Sequence, residues 1–491
     1  MHSLKQRSDG HNMRLISTFV GVATLGGFMF GYDSGVINGT QAGLKAAFDV
    51  SDTAIGFLVG ILSIGCATGA FLAGRLADVY GRRGVMLAAA LLFIITALLA
   101  GSANSALIFS LARFAAGAAV GAVSVLAPAY IAEVTPARIR GGLSSVQQIM
   151  IIIGITGAFI VNFLFATWAG SSLSTFHGAT AWRWMFWVQT IPALLFLLAL
   201  LTIPESPRFL VSKRREAEAQ SVLARLFGAS AARAKVAEIR ASLAADHRPS
   251  FGDLTDNSTG RIHKVVYVGV VLAALQQFVG INVIFYYGAV LWQAVGSVEN
   301  DAFLRNIISG GVSIIACLVT IGVVDKVGRK PLLLIGSCGM AVTLGLVTWC
   351  FAQGTLTAGT LHLPPFIGMT ALVAANLYVI FFNGTWGPVL WVMLGEMFPN
   401  QMRGSALAVA GATLWLSNFV MNIAFPPAMA MFGLAVTYGF FTLCAVLSFF
   451  FVLRMVQETT GKELEEMGVA DAISIHMKPG STGGAGRELS P

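Results

Sequence analysis

Three side-chain amides occur within seven residues of one long apolar stretch, at Gln276, Gln277 and Asn282. An amide both donates and accepts hydrogen bonds, so a cluster of amides can bind a neutral ligand that carries several hydroxyl groups. The alternative is that the amides only join helices to one another through interhelical hydrogen bonds. Three amides so close together exceed the ordinary needs of packing, so the pattern favours a ligand site. If one helix ran through the whole stretch, Gln277 would share a face with Ile281, and Gln276 would share an adjacent face with Tyr287.

One carboxylate, Asp33, lies late in the first apolar stretch, where an ionised side chain is costly and rarely occurs without a function. Arg113, early in the fourth apolar stretch, is its expected partner. A guanidinium favours the ionised carboxylate, whereas burial favours the protonated one. A partner that moves would therefore let Asp33 bind and release a proton. The alternative is a static ion pair that only holds two helices together.

The elements that must position these groups are membrane-spanning helices. The chain of 491 residues is 56% hydrophobic and 11% charged, whereas soluble domains carry about 25% charged residues. Its apolar residues fall in blocks of about 20, the length that crosses a bilayer as a helix. This composition excludes a soluble enzyme. The sequence has no phosphate-binding loop or metalloprotease motif, and its histidines are scattered, which disfavours an ATP-driven pump and predicts no metal site.

About twelve apolar blocks have spanning length, which predicts an all-α membrane protein. Their approximate cores are 15–38, 55–77, 84–104, 107–131, 143–167, 184–203, 264–292, 305–324, 331–353, 366–394, 404–425 and 430–454. The expected divisions are a cytoplasmic N-terminus at 1–14, six-helix bundles at 15–203 and 264–454, cytoplasmic linker helices at 204–263 and a cytoplasmic tail at 455–491. Six glycines are interpreted as sites of close helix packing. They are Gly26, Gly27, Gly65, Gly69, Gly117 and Gly121.

Positive charge is concentrated in alternate connections between the blocks, for example at Arg82 with Arg83 and at Arg329 with Lys330. This asymmetry predicts that the basic connections and both termini face the cytoplasm. The net charge of +8 then reflects membrane topology, and no nucleic-acid partner is expected. Short external connections and the lack of an organelle-type targeting segment favour a bacterial inner membrane.

Charged motifs of the first half recur in the second half. The corresponding pairs are Asp78 and Asp325, Arg82 and Arg329, Glu133 and Glu396, Arg140 and Arg403, and Glu205 and Glu458. Each pair falls at the equivalent turn of its half. Two parallel six-helix repeats are the layout of a transporter whose halves rock against each other.

The repeated acids and bases, together with Arg208, are expected to form charged networks at the cytoplasmic face. Exposed single ion pairs stabilise little, but clustered pairs at a partly dry interface bias a two-state equilibrium. We predict that the networks bridge the halves when the cytoplasmic side is shut and separate when it opens. The alternative, ordinary cytoplasmic charges with stray acids, is disfavoured because the spacing of acid and base is repeated.

Further motifs give the chain a family resemblance. They are Gly31-Tyr32-Asp33, Pro204-Glu205-Ser206-Pro207-Arg208, Gln276-Gln277 with Asn282, and Gly387-Pro388 with Trp391. Together with the repeats, the chain resembles the sugar-porter family of the major facilitator superfamily over nearly its whole length. The resemblance implies two pseudo-symmetric six-helix bundles. It implies hydroxyl ligands at Gln148, Gln276, Gln277 and Asn282, flanked by Phe30, Tyr286, Trp391 and Trp415. In proton-coupled members of the family, an Asp at the place of Asp33 binds the proton.

Three positions depart from the family's pattern. Ser313 lies where an Asn is common, Leu414 lies where an amide is common, and Gln457 stands where relatives usually carry a proline. Leu414 cannot bond a hydroxyl group, and the loss of a buried polar contact changes which analogue a site tolerates. The choice among hexose, pentose and inositol therefore stays open.

The expected function is symport of a proton with a monosaccharide or polyol by alternating access, with no cofactor. The open alternatives are a passive facilitator of the same fold and, less favoured, a sugar-sensing receptor, which would require a long cytoplasmic tail. A membrane-embedded enzyme would need a cluster of catalytic groups, which the sequence does not present. The expected partners are a sugar or polyol and the lipid bilayer, and the chain is expected to be a monomer.

Overall fold

The computed structural model describes residues 12–136, 140–245, 251–255, 260–357, 360–399 and 402–459. Within these ranges the chain is almost entirely helical, apart from two short antiparallel hairpins. The strands are β1 (Thr175–Phe176), β2 (Ala179–Thr180), β3 (Thr355–Thr357) and β4 (Thr360–His362). The strand β1 pairs with β2, and β3 pairs with β4, so each hairpin is a local feature of one connection.

The first half of the chain supplies six spans. Its helices are α1 (Met13–Val36), α2 (Gln41–Phe48), α3 (Asp52–Tyr80), α4 (Arg82–Ser102), α5 (Ala106–Val134), α6 (Arg140–Ala169), α7 (Ala181–Val188) and α8 (Thr190–Thr202). Serines begin two of the long helices: Ser51 accepts from the amide of Ala54 at 3.3 Å, and Ser105 accepts from the amide of Ile108 at 3.3 Å. Such caps satisfy amides that have no partner inside the helix.

Short helices follow the first half. They are α9 (Pro207–Ser212), α10 (Glu216–Phe227) and α11 (Ala229–Ala245), followed by a 3₁₀ turn at Phe251–Leu254. The amide of Asn12 donates to the carbonyl of Leu226 at 2.9 Å, which ties the start of α1 to the end of α10. These helices therefore pack against the first half.

The second half supplies the remaining spans. Its helices are α12 (Lys264–Phe278), α13 (Ile281–Ala294), α14 (Glu299–Val327), α15 (Arg329–Ala352), α16 (Pro365–Phe381), α17 (Gly387–Met397) and α18 (Arg403–Met455). The 53 residues of α18 would make a straight helix of about 80 Å, whereas the hydrocarbon core is about 30 Å thick. Gly433, at φ 77° and ψ 171°, interrupts α18 and divides it into two spans.

Eleven helical stretches among the described residues are long and apolar enough to cross a bilayer. Because α18 counts twice, the structure holds the twelve spans that the sequence predicts. Large apolar side chains also point outward, as at Ile191, Leu195 and Ile315, which are 60%, 59% and 65% exposed. Soluble proteins rarely expose extended apolar surface of this kind. The chain is a multi-pass membrane protein.

Two spans of the second half are discontinuous. The helices α12 and α13 meet at Gly280, whose φ of 86° lies in the left-handed region, and a Cβ there would lie 2.6 Å from the ring of Phe441. The helices α16 and α17 meet at a π-helical turn, Phe382–Trp386. The single helix predicted over 264–292 is therefore two helices, and the faces predicted to run from Gln276 to Tyr287 do not continue through the break. Broken spans are where transporters commonly bind their solutes.

The glycines predicted to permit close packing do so. A Cβ built on any of the six would lie within 3 Å of an atom on a neighbouring helix, as in the contact of 2.1 Å between Gly65 and the carbonyl oxygen of Phe114. Helices in a bilayer associate largely through such close contacts, because lipid offers no hydrophobic driving force between them.

The two halves touch at one end of the bundle. We call the end that carries Arg82 and Arg329 the basic end, and the other the opposite end. At the opposite end, a Cβ on Gly56 of α3 would lie 2.8 Å from the carbonyl oxygen of Asn422 of α18. In addition, the carboxylate of Glu299 accepts from the amide of Ser172 at 3.2 Å. These contacts cross from one half to the other.

Three amide side chains complete this contact, and we call them the amide latch: Asn38, Gln41 and Asn306. Asn38 donates to the carbonyl of Phe285 at 2.7 Å, and Gln41 donates to the carbonyl of Tyr286 at 2.6 Å. Asn306 donates to the side-chain oxygen of Asn38 at 2.9 Å. Asn38, Gln41 and Asn306 are all buried, so the latch is a set of desolvated hydrogen bonds between the halves.

Candidate functional site

The three amides singled out in the sequence lie together where α12 gives way to α13. Gln276 donates to the carbonyl of Trp386 at 3.2 Å, and Gln277 donates to the side-chain oxygen of Gln276 at 3.4 Å. Asn282 donates to the side-chain oxygen of Gln277. Gln276 and Gln277 are buried, whereas Asn282 is half-buried. The hydrogen-bonded series of amides thus begins at Trp386 of the π-helical turn and ends at Asn282, which is the most accessible of the three amides.

The predicted aromatic neighbours are only partly brought together. The rings of Phe30 in α1 and Trp415 in α18 lie 5.6 Å apart between centroids, so they form a contact between the halves. Tyr286 is buried, whereas Trp391 on α17 is 43% exposed. Gln148 is half-buried on α6. Phe30 and Trp415 therefore pair directly, and the placement of Trp391 and Gln148 around a sugar stays a prediction.

Sequence reasoning missed Asn383 in the π-helical turn. Its amide donates to the hydroxyl of Ser313 at 3.3 Å and to the carbonyl of Val379 at 3.2 Å. The family resemblance predicts an amide at the position of Ser313, and Asn383 supplies one beside it from another helix. The available signal was an amide inside an apolar block, the same signal that identified Gln276.

Asn418, one helical turn after Trp415, was also missed. It accepts from the side-chain amide of Asn422 at 2.5 Å, and both residues are buried. The hydroxyl of Tyr287 in α13 donates to the carbonyl of Asn422 at 2.9 Å. This pair therefore adds polar groups to α18 close to Trp415, where Leu414 offers none.

Asp33 and Arg113 form the predicted ion pair. Nη1 of Arg113 donates to Oδ2 of Asp33 at 2.9 Å and to its backbone carbonyl at 3.3 Å. Asp33 is 2% exposed and Arg113 is 1% exposed. A fully buried ion pair stabilises a protein only when its remaining polar atoms are also satisfied. The stability of this ion pair therefore depends on whether the second carboxylate oxygen of Asp33, Oδ1, also has a partner.

Gln189, which was not predicted from the sequence, binds that second oxygen. Its Nε2 donates to Oδ1 of Asp33 at 3.0 Å across 156 residues of sequence, and it is 1% exposed. Gln189 lies at the turn between α7 and α8, inside an apolar span. Both oxygens of Asp33 are thus held from the first half, by α5 and by the α7–α8 turn.

At the basic end, the first charge cluster joins Asp78, Arg82, Glu133 and Glu205. Arg82 lies 3.2 Å from Glu133 and 3.6 Å from Asp78, and the hydroxyl of Ser206 donates to Glu133. The carboxylate of Glu205 accepts from the backbone amide of Arg82 at 3.0 Å. Glu205 thus binds the N-terminus of α4, where the helix dipole favours negative charge.

The second charge cluster repeats this arrangement with Arg329, Glu396 and Glu458. Arg329 lies 2.9 Å from Glu396, and the hydroxyl of Thr459 donates to Glu396 at 2.6 Å. The carboxylate of Glu458 accepts from the backbone amide of Arg329 at 3.0 Å, at the N-terminus of α15. The sequence repeat is therefore also a repeat of hydrogen bonds.

The ion pairs of Arg82 with Asp78 and Glu133 and of Arg329 with Glu396 each join residues of the same half. The side chains of Arg140 and Asp325 lie outside the described part of the structure, so their predicted roles are not assigned. Arg208 lies in the first turn of α9 and adds positive charge near Glu133, and Arg403 donates to the carbonyl of Phe398 at 3.2 Å. That the clusters bridge the halves when the basic end closes stays a prediction.

Comparison with known proteins agrees with this architecture. Residues 19–470 match the family model described as sugar (and other) transporter. The chain is 44% identical to the glucose transport protein of Synechocystis sp., covering 93% of this chain and 97% of that protein. It is 37% identical to the D-xylose-proton symporter of Escherichia coli K12, covering 93% and 96%. The inward open conformation of the xylose transporter XylE from E. coli superposes with a TM-score of 0.78 at 34% identity, covering 93% and 99%. The chain therefore belongs to the sugar-porter family of the major facilitator superfamily.

Proposed function

We propose that this protein imports a monosaccharide or polyol together with a proton by alternating access. The observation that carries the proton coupling is the buried Asp33 carboxylate, bound by Arg113 on one oxygen and Gln189 on the other. The amides around Asn282 suit the hydroxyl groups of a sugar. The similarity to a glucose transport protein and to a D-xylose-proton symporter supports both parts of the proposal.

We propose that the basic end faces the cytoplasm, together with both termini, in a bacterial inner membrane. This orientation follows the distribution of Lys and Arg. The halves touch at the opposite end through the amide latch, while at the basic end the ion pairs Arg82–Glu133 and Arg329–Glu396 each lie within one half. In this orientation these contacts support an inward-facing state, from which sugar and proton would leave toward the cytoplasm. The protein acts as a monomer and needs no cofactor.

The proposed function is tested by uptake into proteoliposomes. Radiolabelled glucose, galactose, xylose, arabinose and myo-inositol are supplied with and without an inward proton gradient. Accumulation of one of them above equilibrium only when the gradient is present would support symport and name the substrate. Equilibration that ignores the gradient would make the protein a passive facilitator instead.

Replacing Gln277 with leucine is expected to weaken sugar binding about tenfold or more. The change removes an amide of the proposed ligand set and leaves the donor of Asn282 without its present acceptor. A hydrogen bond is worth about 1 to 1.5 kcal/mol, and about 1.4 kcal/mol corresponds to a factor of ten in affinity. The apparent affinity is measured by tryptophan-quenching titration and by KM for uptake.

The matched control for this change is Gln353→Leu, at the exposed end of α15. It alters the same residue type away from the discontinuous span and should leave the affinity unchanged. If Gln277→Leu bound the sugar as tightly as the control, Gln277 would only join helices.

Replacing Asn38 with alanine is expected to shift the population toward structures that are open at the opposite end. The change removes the bond to the carbonyl of Phe285 and the acceptor of Asn306. Two hydrogen bonds of about 1 kcal/mol each correspond to a shift of roughly tenfold to thirtyfold in the equilibrium. Spin labels at Asn104 and Val298, one on each half at the opposite end, report the change as a longer distance distribution.

Asn376→Ala is the control, because Asn376 bonds Ser309 and Leu372 within the second half. This control should leave the distance between the labels unchanged. The same distribution in Asn38→Ala as in the wild type would mean that the latch does not set the equilibrium.

A further inference from the structure

The amide nitrogen of Gln189 bonds Asp33, whereas its amide oxygen has no hydrogen-bond partner in the described structure. Nε2 donates to Oδ1 of Asp33 at 3.0 Å, whereas Oε1 of Gln189 is buried and has no hydrogen-bond partner in the described structure. A buried acceptor without a partner is costly, and native structures retain few of them. Gln189 therefore carries an unused acceptor at the end of the same amide that binds Asp33.

An amide can serve either protonation state of a carboxyl group. It donates through its nitrogen to an ionised oxygen, and after a half-turn about its last torsion it accepts through its oxygen from a protonated one. That torsion has two broad, nearly equivalent wells, so the turn needs no movement of the backbone. Gln189 has the geometry for both arrangements, because rotation about this torsion exchanges the positions of its amide nitrogen and oxygen.

We propose that Gln189 is a positioning residue that binds both protonation states of Asp33 by turning its amide. When Asp33 is ionised, Nε2 of Gln189 donates to Oδ1, as observed. When a proton binds to Oδ1, the new O–H donates to Oε1 of Gln189, and the proton stays on Asp33. Arg113 continues to donate to Oδ2 in both states. The inference deepens the proposed function, because it rests on Asp33 being the proton site.

Among the described groups around Asp33, Gln189 is the one that bonds Oδ1. Arg113 has donors and no acceptor, so it cannot receive a bond from the protonated carboxyl group. Cys66 of α3 lies near both Asp33 and Arg113. Tyr32 of α1 is buried and adjacent to Asp33 in the sequence, and Tyr286 of α13 lies near Arg113. None of these neutral groups bonds Oδ1 in the structure, whereas Gln189 does.

The test is an infrared titration of the full-length transporter, purified and held in lipid bilayers. The carboxyl band of protonated Asp33 is identified by its loss in Asp33→Asn. In the wild type, the appearance of this band should coincide with a shift of one glutamine side-chain carbonyl band, because Oε1 gains a hydrogen bond. That shift should be missing in Gln189→Met, which keeps the length of the side chain without its polar atoms.

Two further comparisons separate this role from simple packing. In Gln189→Met, Asp33 should bind the proton about threefold to tenfold more tightly, because a bond to a charged carboxylate is stronger than one to a neutral carboxyl group. In Gln189→Glu, two carboxyl groups share a proton and the midpoint should move further toward high pH. Thr190→Val, at the next residue, should titrate as the wild type does.

Either of two outcomes overturns the inference. One is a carboxyl band of Asp33 that appears without any change in a glutamine band. The other is an unchanged midpoint in both Gln189→Met and Gln189→Glu. Because the titration is read on the carboxyl group itself, it remains informative if uptake proves indifferent to the proton gradient, a result that would overturn only the proposed symport.

Discussion

Asp33→Asn is expected to abolish accumulation of sugar above equilibrium while sugar exchange between the two sides continues. One proton moving through 100 mV supplies about 2.3 kcal/mol, which supports roughly fiftyfold accumulation of a co-transported neutral solute. The variant should reach a ratio of about one, because an asparagine side chain in place of the carboxylate binds no proton in this range. The measurement is steady-state uptake under an imposed gradient, together with counterflow of labelled sugar.

The structure makes this substitution a clean test. Asparagine matches aspartate in size, its side-chain oxygen can accept from Arg113, and its nitrogen can donate to the free Oε1 of Gln189. Asp52→Asn is the matched control, since Asp52 is 52% exposed and pairs with Lys45 at the opposite end. Accumulation that survives in Asp33→Asn as in the control would reduce the Asp33–Arg113 contact to a structural ion pair.

Charge in an apolar segment is the feature that made this site predictable. A carboxylate inside a span must find a cation, and Arg113 is an arginine inside another span, so the sequence identified both members of the pair. Gln189 was not identified because a neutral amide has no charge whose sign would indicate its partner. Its role depends on the turn between α7 and α8, which brings it to Asp33 across 156 residues.

The number of spans was also predictable, because bilayer thickness sets the length of an apolar block. The breaks at Gly280 and at Phe382–Trp386 were not. Average hydropathy over about 20 residues does not register one left-handed φ or a π-helical turn. The break at Gly280 nevertheless matters most for the site, because it brings Asn282 beside Gln277 instead of on a continuing helical face.

The charge clusters show a third limit of prediction from the sequence. The repeat of acid and base along the sequence predicts that Arg82 and Arg329 have equivalent surroundings, and their hydrogen bonds to Glu205 and Glu458 are equivalent. A repeat does not specify which half a partner belongs to. Partner choice depends on how the halves are tilted, and that tilt would change during the proposed alternating access.

Gly117→Ala is expected to cost about 3 kcal/mol or more of stability, and Gly117→Val is expected to leave almost no folded protein. A Cβ on Gly117 of α5 would lie 2.1 Å from the carbonyl oxygen of Leu62, while a Cβ on Gly65 of α3 would lie 2.1 Å from the carbonyl oxygen of Phe114. Backbone atoms of a helix cannot rotate away as a side chain does. The two helices would therefore have to separate along their whole contact.

The control lies in the same helix pair. Gly74 of α3 has no atom within 4 Å of a Cβ built on it, so Gly74→Ala should match or slightly exceed the wild type in thermal stability. Folded yield and melting temperature are read by size-exclusion chromatography of the heated protein. Equal stability of Gly117→Ala and Gly74→Ala would contradict close packing as the source of stability. In lipid, where the contact between α3 and α5 depends on dispersion and close backbone approach, losing that approach removes most of what holds them together.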